Sequence, residues 1–406
     1  MERRLTAGAG LLTRIMLGLA LALLAGGLVL GLGQNGETWK ALALAVPVLT
    51  AGWKGLPPLC RWLERMGAVR IWLGLTLLCL AVKGAWVFLV RVTPSGDYAT
   101  FWGYANALAR QPVLEDGRYM ALFPHIFGYS SFLSWFIRLL GPGGTAGPGA
   151  ECFTDRRLRQ PAVSAGAAVV IIALLLWRLV LKPEDWLLGE TRRYWLVLLA
   201  ALLAAYAVTG PLWQAHLARR IGEEPSTTPG YSILVGFNQD SGGAWNQADS
   251  DLLFSLSDAP GTTAQQAQEG ALEAAKNRIT SGEVALLPLM GDKLRAFLGS
   301  DHACVGYVGS VVRHTRLFSL TCNGFYYAAL VLAGAGLVRL WRNRARSALV
   351  LLPLYVLGLT CAQMLVEVAG RYHYSLIPVL LLLGQAAIFP PAPAETKNFQ
   401  KNRESP

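Results

Sequence analysis

Residues 11–33 read "LLTRIMLGLALALLAGGLVLGLG" and carry a single charge, at Arg14. About 20 apolar residues in a helix cross the hydrocarbon core of a bilayer, so this run predicts a membrane span. A basic start, Arg3 and Arg4, precedes it, and no small-x-small cleavage signal closes it. It therefore reads as an uncleaved first span rather than a removed signal peptide. Outward from it, apolar segments recur near 38–53, 71–92, 120–141, 161–181, 194–213, 321–338, 348–366 and 375–390. Those at 38–53 and 375–390 are short for a span. The composition agrees: 53% of the 406 residues are hydrophobic and 15% are charged, against about a quarter charged in soluble domains.

The net charge of +11 does not point to nucleic acid. Lys and Arg sit in short segments between apolar runs, which is how membrane orientation is encoded. Arg3 and Arg4 place the N-terminus inside; Lys54, Arg61, Arg65 and Arg70 mark an inside loop. Lys182, Arg192 and Arg193 mark another, as do Arg339, Arg342, Arg344 and Arg346, and Lys397, Lys401 and Arg403 place the C-terminus inside. Residues 214–320 and the turn from Glu367 to Tyr374 are then expected outside. Counted forward and backward, the spans disagree in parity between 120 and 161. Either 120–141 is a re-entrant or surface element, or the low-order stretch "GPGGTAGPGAECFTDRRLRQ" at 141–160 is irregular.

The expected fold is a polytopic α-helical membrane protein of about eight or nine apolar segments. Residues 1–213 form an N-terminal transmembrane region whose first outer loop, 93–119, carries Asp97. Residues 214–320 form one small mixed extracytoplasmic subdomain, 321–391 a C-terminal transmembrane region, and 392–406 a cytoplasmic tail. Within the subdomain "YSILVGF" suggests a strand, and "TTAQQAQEGALEAAKNRI" a solvated helix with a Thr cap and basic C-terminal residues. The six cysteines, Cys60, Cys79, Cys152, Cys304, Cys322 and Cys361, form no CxxC, so neither a zinc site nor a disulfide framework is implied.

The chain leaves its third span as "RVTPSGDYATFWGYANALARQ", residues 91–111. Tyr98, Phe101, Trp102, Ala105, Leu108 and Ala109 share one helical face, which predicts an interfacial helix with its aromatics dipped into the outer leaflet. Asp97 opens it. As an N-cap it is worth about 1 kcal/mol; as a carboxylate at headgroup height it is a candidate general base.

This segment resembles the first outer loop of the C-superfamily membrane glycosyltransferases, among them the bacterial relatives of dolichyl-phosphate-mannose protein mannosyltransferases. "ALFPHIFGYSSFLSWFIRLLG" (121–141), "GFNQDSGGAWNQADSDLLF" (236–254) and "EVAGRYHYSLIP" (367–378) resemble later segments of the same proteins. The chain departs from them in a short middle and in residues 143–160. The resemblance implies a multi-pass cell-membrane enzyme with an extracytoplasmic active face. It would transfer a hexosyl or mannosyl unit from a polyprenyl-phosphate sugar to a sugar or protein acceptor. An acidic base takes the acceptor proton, and cationic side chains meet the lipid phosphate as it leaves. No nucleotide-binding loop is needed, and none is seen.

On this reading Asp97 is catalytic, and Arg371 and His373 bind the donor phosphate. An aromatic belt with a snorkelling arginine accounts equally for "RYHYSLIP". Trp245, Asn246, Asp249, His125, Tyr372 and Glu367 are candidate substrate contacts. Each has a structural alternative. Glu367 is placed to pair with Arg371 at (i, i+4). Asp249, in a short Asp-x-Asp match, is placed to cap the helix "SDLLFSL", and His125 to sit at the interface without contacting substrate. No cofactor is required; a divalent metal is possible but not indicated. The competing functions are a non-enzymatic carrier of lipid-linked sugars and an inactive truncated remnant. A carrier needs ionisable groups in mid-span and internal repeats. The spans hold few such groups, Lys83 being the exception, and no repeat is seen.

Overall fold

A computed structural model describes residues 2–33, 38–89, 96–140, 192–342 and 348–389. The apolar run at 161–181, the 141–160 stretch and the 392–406 tail lie outside the described residues. The protein is 81% helical, and no strand occurs among the described residues. In chain order the helices are α1 (Glu2–Leu32), α2 (Thr38–Glu64), α3 (Ala68–Leu89), α4 (Asp97–Arg110), α5 (Arg118–Leu122), α6 (His125–Leu140) and α7 (Arg192–Ile221). There follow α8 (Gly230–Gly236), α9 (Gln247–Ser257), α10 (Ala264–Thr280), α11 (Leu286–Leu298), α12 (Ala303–Val308), α13 (Thr315–Arg342), α14 (Leu352–Leu365) and α15 (Ile377–Ile388). A 3-10 turn, Gly370–Leu376, leads into α15.

Four of these are long and apolar enough to cross a bilayer: Gly10–Leu32 of α1, α2, Val69–Trp86 of α3, and α13. Their outer faces carry exposed apolar side chains, such as Trp72, Leu77, Phe88 and Phe325. That pattern belongs to helices whose solvent is hydrocarbon. The central member is α13, which packs along α15, α2 and α1. Close approach rests on small residues, as membrane helix contacts do. A Cβ on Gly336 would collide with the Leu383 carbonyl of α15, and one on Gly384 would meet the Leu332 side chain at 3.0 Å. Ala329, Ala333, Leu337, Leu380 and Leu383 fill the seam.

Residues 120–141, where the two topology counts meet, do not form one span. Phe123 and Pro124 separate the single turn α5 from the 16-residue α6. The residue before a proline is pushed out of the helical region, and Phe123 has φ −123° and ψ 68°. Helix α6 packs on α4 through Leu133 and Ile137 against Ala105.

The strand expected at "YSILVGF" is helix α8. Its β-branched and aromatic residues suit a strand, but Tyr231, Leu234 and Val235 share one buried helical face. Helix α10 starts where expected, with a reciprocal box between Thr263 and Gln266. It is not merely solvated: Ala264, Ala267, Ala271 and Ala275 form a fully buried stripe against α8. Gln268 joins the two helices, donating to the Leu122 carbonyl at 3.0 Å and accepting from the Tyr231 N–H at 2.7 Å.

Candidate functional site

Helix α4 begins at Asp97, but Asp97 is not its cap. Gly96 occupies that position with φ +56°, a conformation other residues rarely adopt. The Asp97 carboxylate is thereby left to point across the chain. Its Oδ2 accepts from Arg371 Nη2 at 2.9 Å, bridging 274 residues of sequence. Asp97 keeps 56% of its side-chain exposure and Arg371 keeps 37%. A pair this exposed is worth about 1 kcal/mol or less. It is too weak to be a structural clasp and weak enough to open for an anionic ligand.

Arg371 also lies over the Tyr372 ring, 5.3 Å from its centroid, and the Tyr372 hydroxyl donates to Glu367 Oε1 at 3.3 Å. Glu367 and Arg371 do not stand in helical (i, i+4) register, because residues 366–369 are not helical. Burial raises the Glu367 carboxyl above the ordinary carboxylate range, against the opposing pull of Arg371. Tyr119 of α5 closes the other side. Its hydroxyl pKa is raised by burial first and then by the negative charges of Asp97 and Glu367. Tyr119, Phe123, Tyr231 and Phe254 form a continuous ring cluster beneath, with centroid separations of 4.9–6.2 Å. His125 is exposed at the start of α6, edge-on to Phe123 at 6.2 Å.

The segment carrying Glu367 is held from below by a residue that sequence reading missed. Lys293 of α11 is fully buried, and its ammonium donates to the carbonyls of Gly236, Met364 and Val366 at 2.8, 2.9 and 2.8 Å. These oxygens end α8 and α14, where helices leave carbonyls unpartnered and a cation is favoured. Burial pulls the Lys293 pKa down to about 8. Alongside, the Glu367 N–H donates to Ser232 at 2.7 Å and the Val368 N–H to Gly243 at 2.9 Å. Trp245 stands two residues beyond Gly243, 58% exposed.

Two expected site residues serve the frame instead. Asn246 is the N-cap of α9, accepting from the Asp249 N–H at 2.9 Å. Asp249, expected at the cap, is buried and bound in bidentate fashion by Arg278 of α10 at 2.7 and 3.2 Å. Asn238 and Asn246 complete its partners at 2.9 and 2.8 Å. Burial raises its pKa, but these hydrogen bonds outweigh burial and hold it below the usual carboxylate range. With four hydrogen bonds from the frame and almost no side-chain exposure, it is held inside the subdomain.

His373 is also corrected. It is fully buried beneath the 3-10 turn rather than beside Arg371. Its ring lies 4.5 Å from that of Tyr326 and 4.8 Å from that of Tyr374. Its Nε2 is 3.7 Å from Asp301 Oδ1, and the Tyr374 hydroxyl donates to the same oxygen at 2.8 Å. Cys304 and Cys322 converge on Asp301, with one donor atom from each of the three within 4.8 Å of the others. Scattered in sequence, these cysteines carry no motif; α12 and α13 bring them together.

No protein-family model, curated protein or solved structure matches this chain.

Proposed function

We propose that this membrane protein is an inverting glycosyltransferase that uses a polyprenyl-phosphate sugar at the extracytoplasmic face. The observation that carries the reading is the Asp97–Arg371 pair at 2.9 Å. It puts a carboxylate and a guanidinium side by side where the chain leaves the third apolar helix. Such a pair has the two groups the reaction needs. In the transfer an acceptor hydroxyl oxygen forms a bond to the anomeric carbon. The bond from that carbon to the phosphate oxygen breaks with its electron pair, and polyprenyl phosphate leaves. Asp97 takes the hydroxyl proton. Arg371, released from Asp97, meets the phosphate charge as it grows. Glu367, Tyr119, Tyr372, His125 and Trp245 are the side chains we assign to holding sugar, by hydrogen bonds and stacking. The lysine and arginine asymmetry supports the outer placement of this face.

The test is donor consumption in the presence of an added mixture of envelope sugars and peptides as the acceptor source, so the acceptor need not be identified beforehand. The full chain in liposomes is incubated with labelled polyprenyl-phosphate hexoses, and released polyprenyl phosphate is measured. Wild-type protein should consume donor. Asp97→Asn keeps the side-chain size but removes the proton acceptor, and should lower the rate by about a hundred- to ten-thousandfold. Near-normal turnover in Asp97→Asn would remove Asp97 from the chemistry. Sugar movement across the liposome without donor breakdown would favour a carrier.

A further inference from the structure

We infer that Asp301, Cys304, Cys322 and His373 form a binding site for a borderline-soft divalent metal ion of the Zn2+ class. Two thiols, a carboxylate and an imidazole converge from three parts of the fold. Asp301 lies in the loop after α11, Cys304 in α12, Cys322 in α13 and His373 in the 3-10 turn. The carboxylate oxygen and both sulfurs lie within 4.8 Å of one another, and His373 Nε2 is 3.7 Å from Asp301 Oδ1. Zinc–ligand bonds of about 2.0–2.3 Å in a tetrahedron place neighbouring donors about 3.3–3.8 Å apart. The Asp301, Cys304 and Cys322 donors need to draw together by about an ångström to reach these spacings, and His373 is the fourth ligand through its 3.7 Å approach to Asp301. Thiolate and imidazole together select Zn2+ over Mg2+ or Ca2+.

The surroundings are those of a held site. The Asp301 N–H donates to Asn323 Oδ1 at 2.8 Å, which fixes the loop, and the Tyr374 hydroxyl orients the carboxylate. Outer partners of this kind orient metal ligands. The Cys304 thiol donates to the Asp301 carbonyl at 2.9 Å. Metal binding would replace that S–H with a metal–sulfur bond and release both thiol protons to solvent. A largely buried carboxylate beside two sulfurs is costly, and a divalent cation offsets that cost. A simple disulfide would leave Asp301 and His373 unexplained. The site would tie α12 and α13 to the turn that carries Arg371, two residues before His373. It is read from metal binding alone and stands whether or not the protein transfers sugar.

The test uses the full chain in detergent, reduced with a non-thiol reductant, stripped with a chelator, and titrated with Zn2+ or Co2+ alone. One ion per chain should bind, Co2+ should give a sulfur-to-cobalt charge-transfer band, and about two protons should be released per ion. Cys304→Ser/Cys322→Ser should abolish the band, and Asp301→Asn and His373→Gln should each weaken binding at least tenfold. Should the double variant fail to fold, wild-type protein still decides. Zn2+ should protect Cys304 and Cys322 from alkylation and leave exposed Cys361 reactive. The inference is overturned by substoichiometric binding in reduced wild type, or by a band that survives in the double variant. Unprotected thiols, or a Cys304–Cys322 disulfide in protein taken directly from the membrane, overturn it as well.

Discussion

Lys293→Met separates the ammonium of Lys293 from the space its chain fills. Methionine occupies a similar volume and keeps the apolar packing against α11's neighbours, but donates nothing. Three carbonyls, those of Gly236, Met364 and Val366, then lose their donor. A buried acceptor left without a donor costs about 1–3 kcal/mol, so the three together cost about 6 kcal/mol. Against this, the variant escapes the cost of burying a charge. The fall in pKa from 10.5 to about 8 corresponds to about 3 kcal/mol disfavouring the charged form. The net expectation is a loss of about 3 kcal/mol, concentrated where α8 and α14 end. Hydrogen–deuterium exchange of the Glu367 and Val368 amides reads it directly, because both are bonded to the neighbouring subdomain. A loss of that size speeds exchange roughly a hundredfold, while amides in the middle of α13 stay protected. The sign of the pH dependence follows. Between pH about 8 and the ordinary lysine value the unfolded chain holds a proton the folded chain does not, so this group's contribution to stability rises with pH across that window. Lys293→Met removes the rise, and the gap to wild type should widen from pH 7 to pH 10. Unchanged exchange at Glu367 and Val368, with an unchanged melting temperature, would refute the latch.

Arg371→Ala should lower kcat/KM for the lipid-phosphate donor by about ten- to a hundredfold, the worth of a hydrogen-bonded charge contact. Arg371→Lys should recover part of it, and equal donor use by all three proteins would remove Arg371 from donor recognition. Arg278→Met leaves Asp249 buried without its cation and should cost about 3–5 kcal/mol, seen as a lower melting temperature for the region spanning α8 to α10. Because the folded Asp249 carboxyl lies below its ordinary value of 3.8, its contribution is present above about pH 4 and fades as pH falls. Asp249→Asn should flatten that acid limb in the same melting experiment, and an unchanged limb would contradict the assignment.

The membrane-helical class was legible because apolar run length is a one-dimensional property: α1, α3 and α13 lie where the runs placed them, whereas α2, read as a short run ending at 53 before a basic loop, continues as helix through Lys54 and Arg61 to Glu64. The helix after the third run was legible for the same reason, since its aromatic face repeats every third or fourth residue. The break inside 120–141 showed first as a parity conflict and then as Phe123-Pro124. Helix α8 was misread because seven residues are too few to separate a period of 2 from one of 3.6. The buried stripe of α10 escaped because alanine contributes little hydropathy while allowing close approach.

The site divided along the same line. The sequence by itself determined which residues could carry charge at the membrane surface, and it singled out Asp97 and Arg371. Only the tertiary structure decided that these two meet while His373 turns inward and Asp249 is consumed by Arg278. Lys293 and the Cys304–Cys322–Asp301 convergence were invisible beforehand for one physical reason. "GDKLRAFL" reads as an ordinary amphipathic helix, and cysteines 18 residues apart carry no ligand spacing. Their chemistry arises when the ends of α8 and α14 bring unpartnered carbonyls to a lysine, and when α12 lays one thiol beside another on α13.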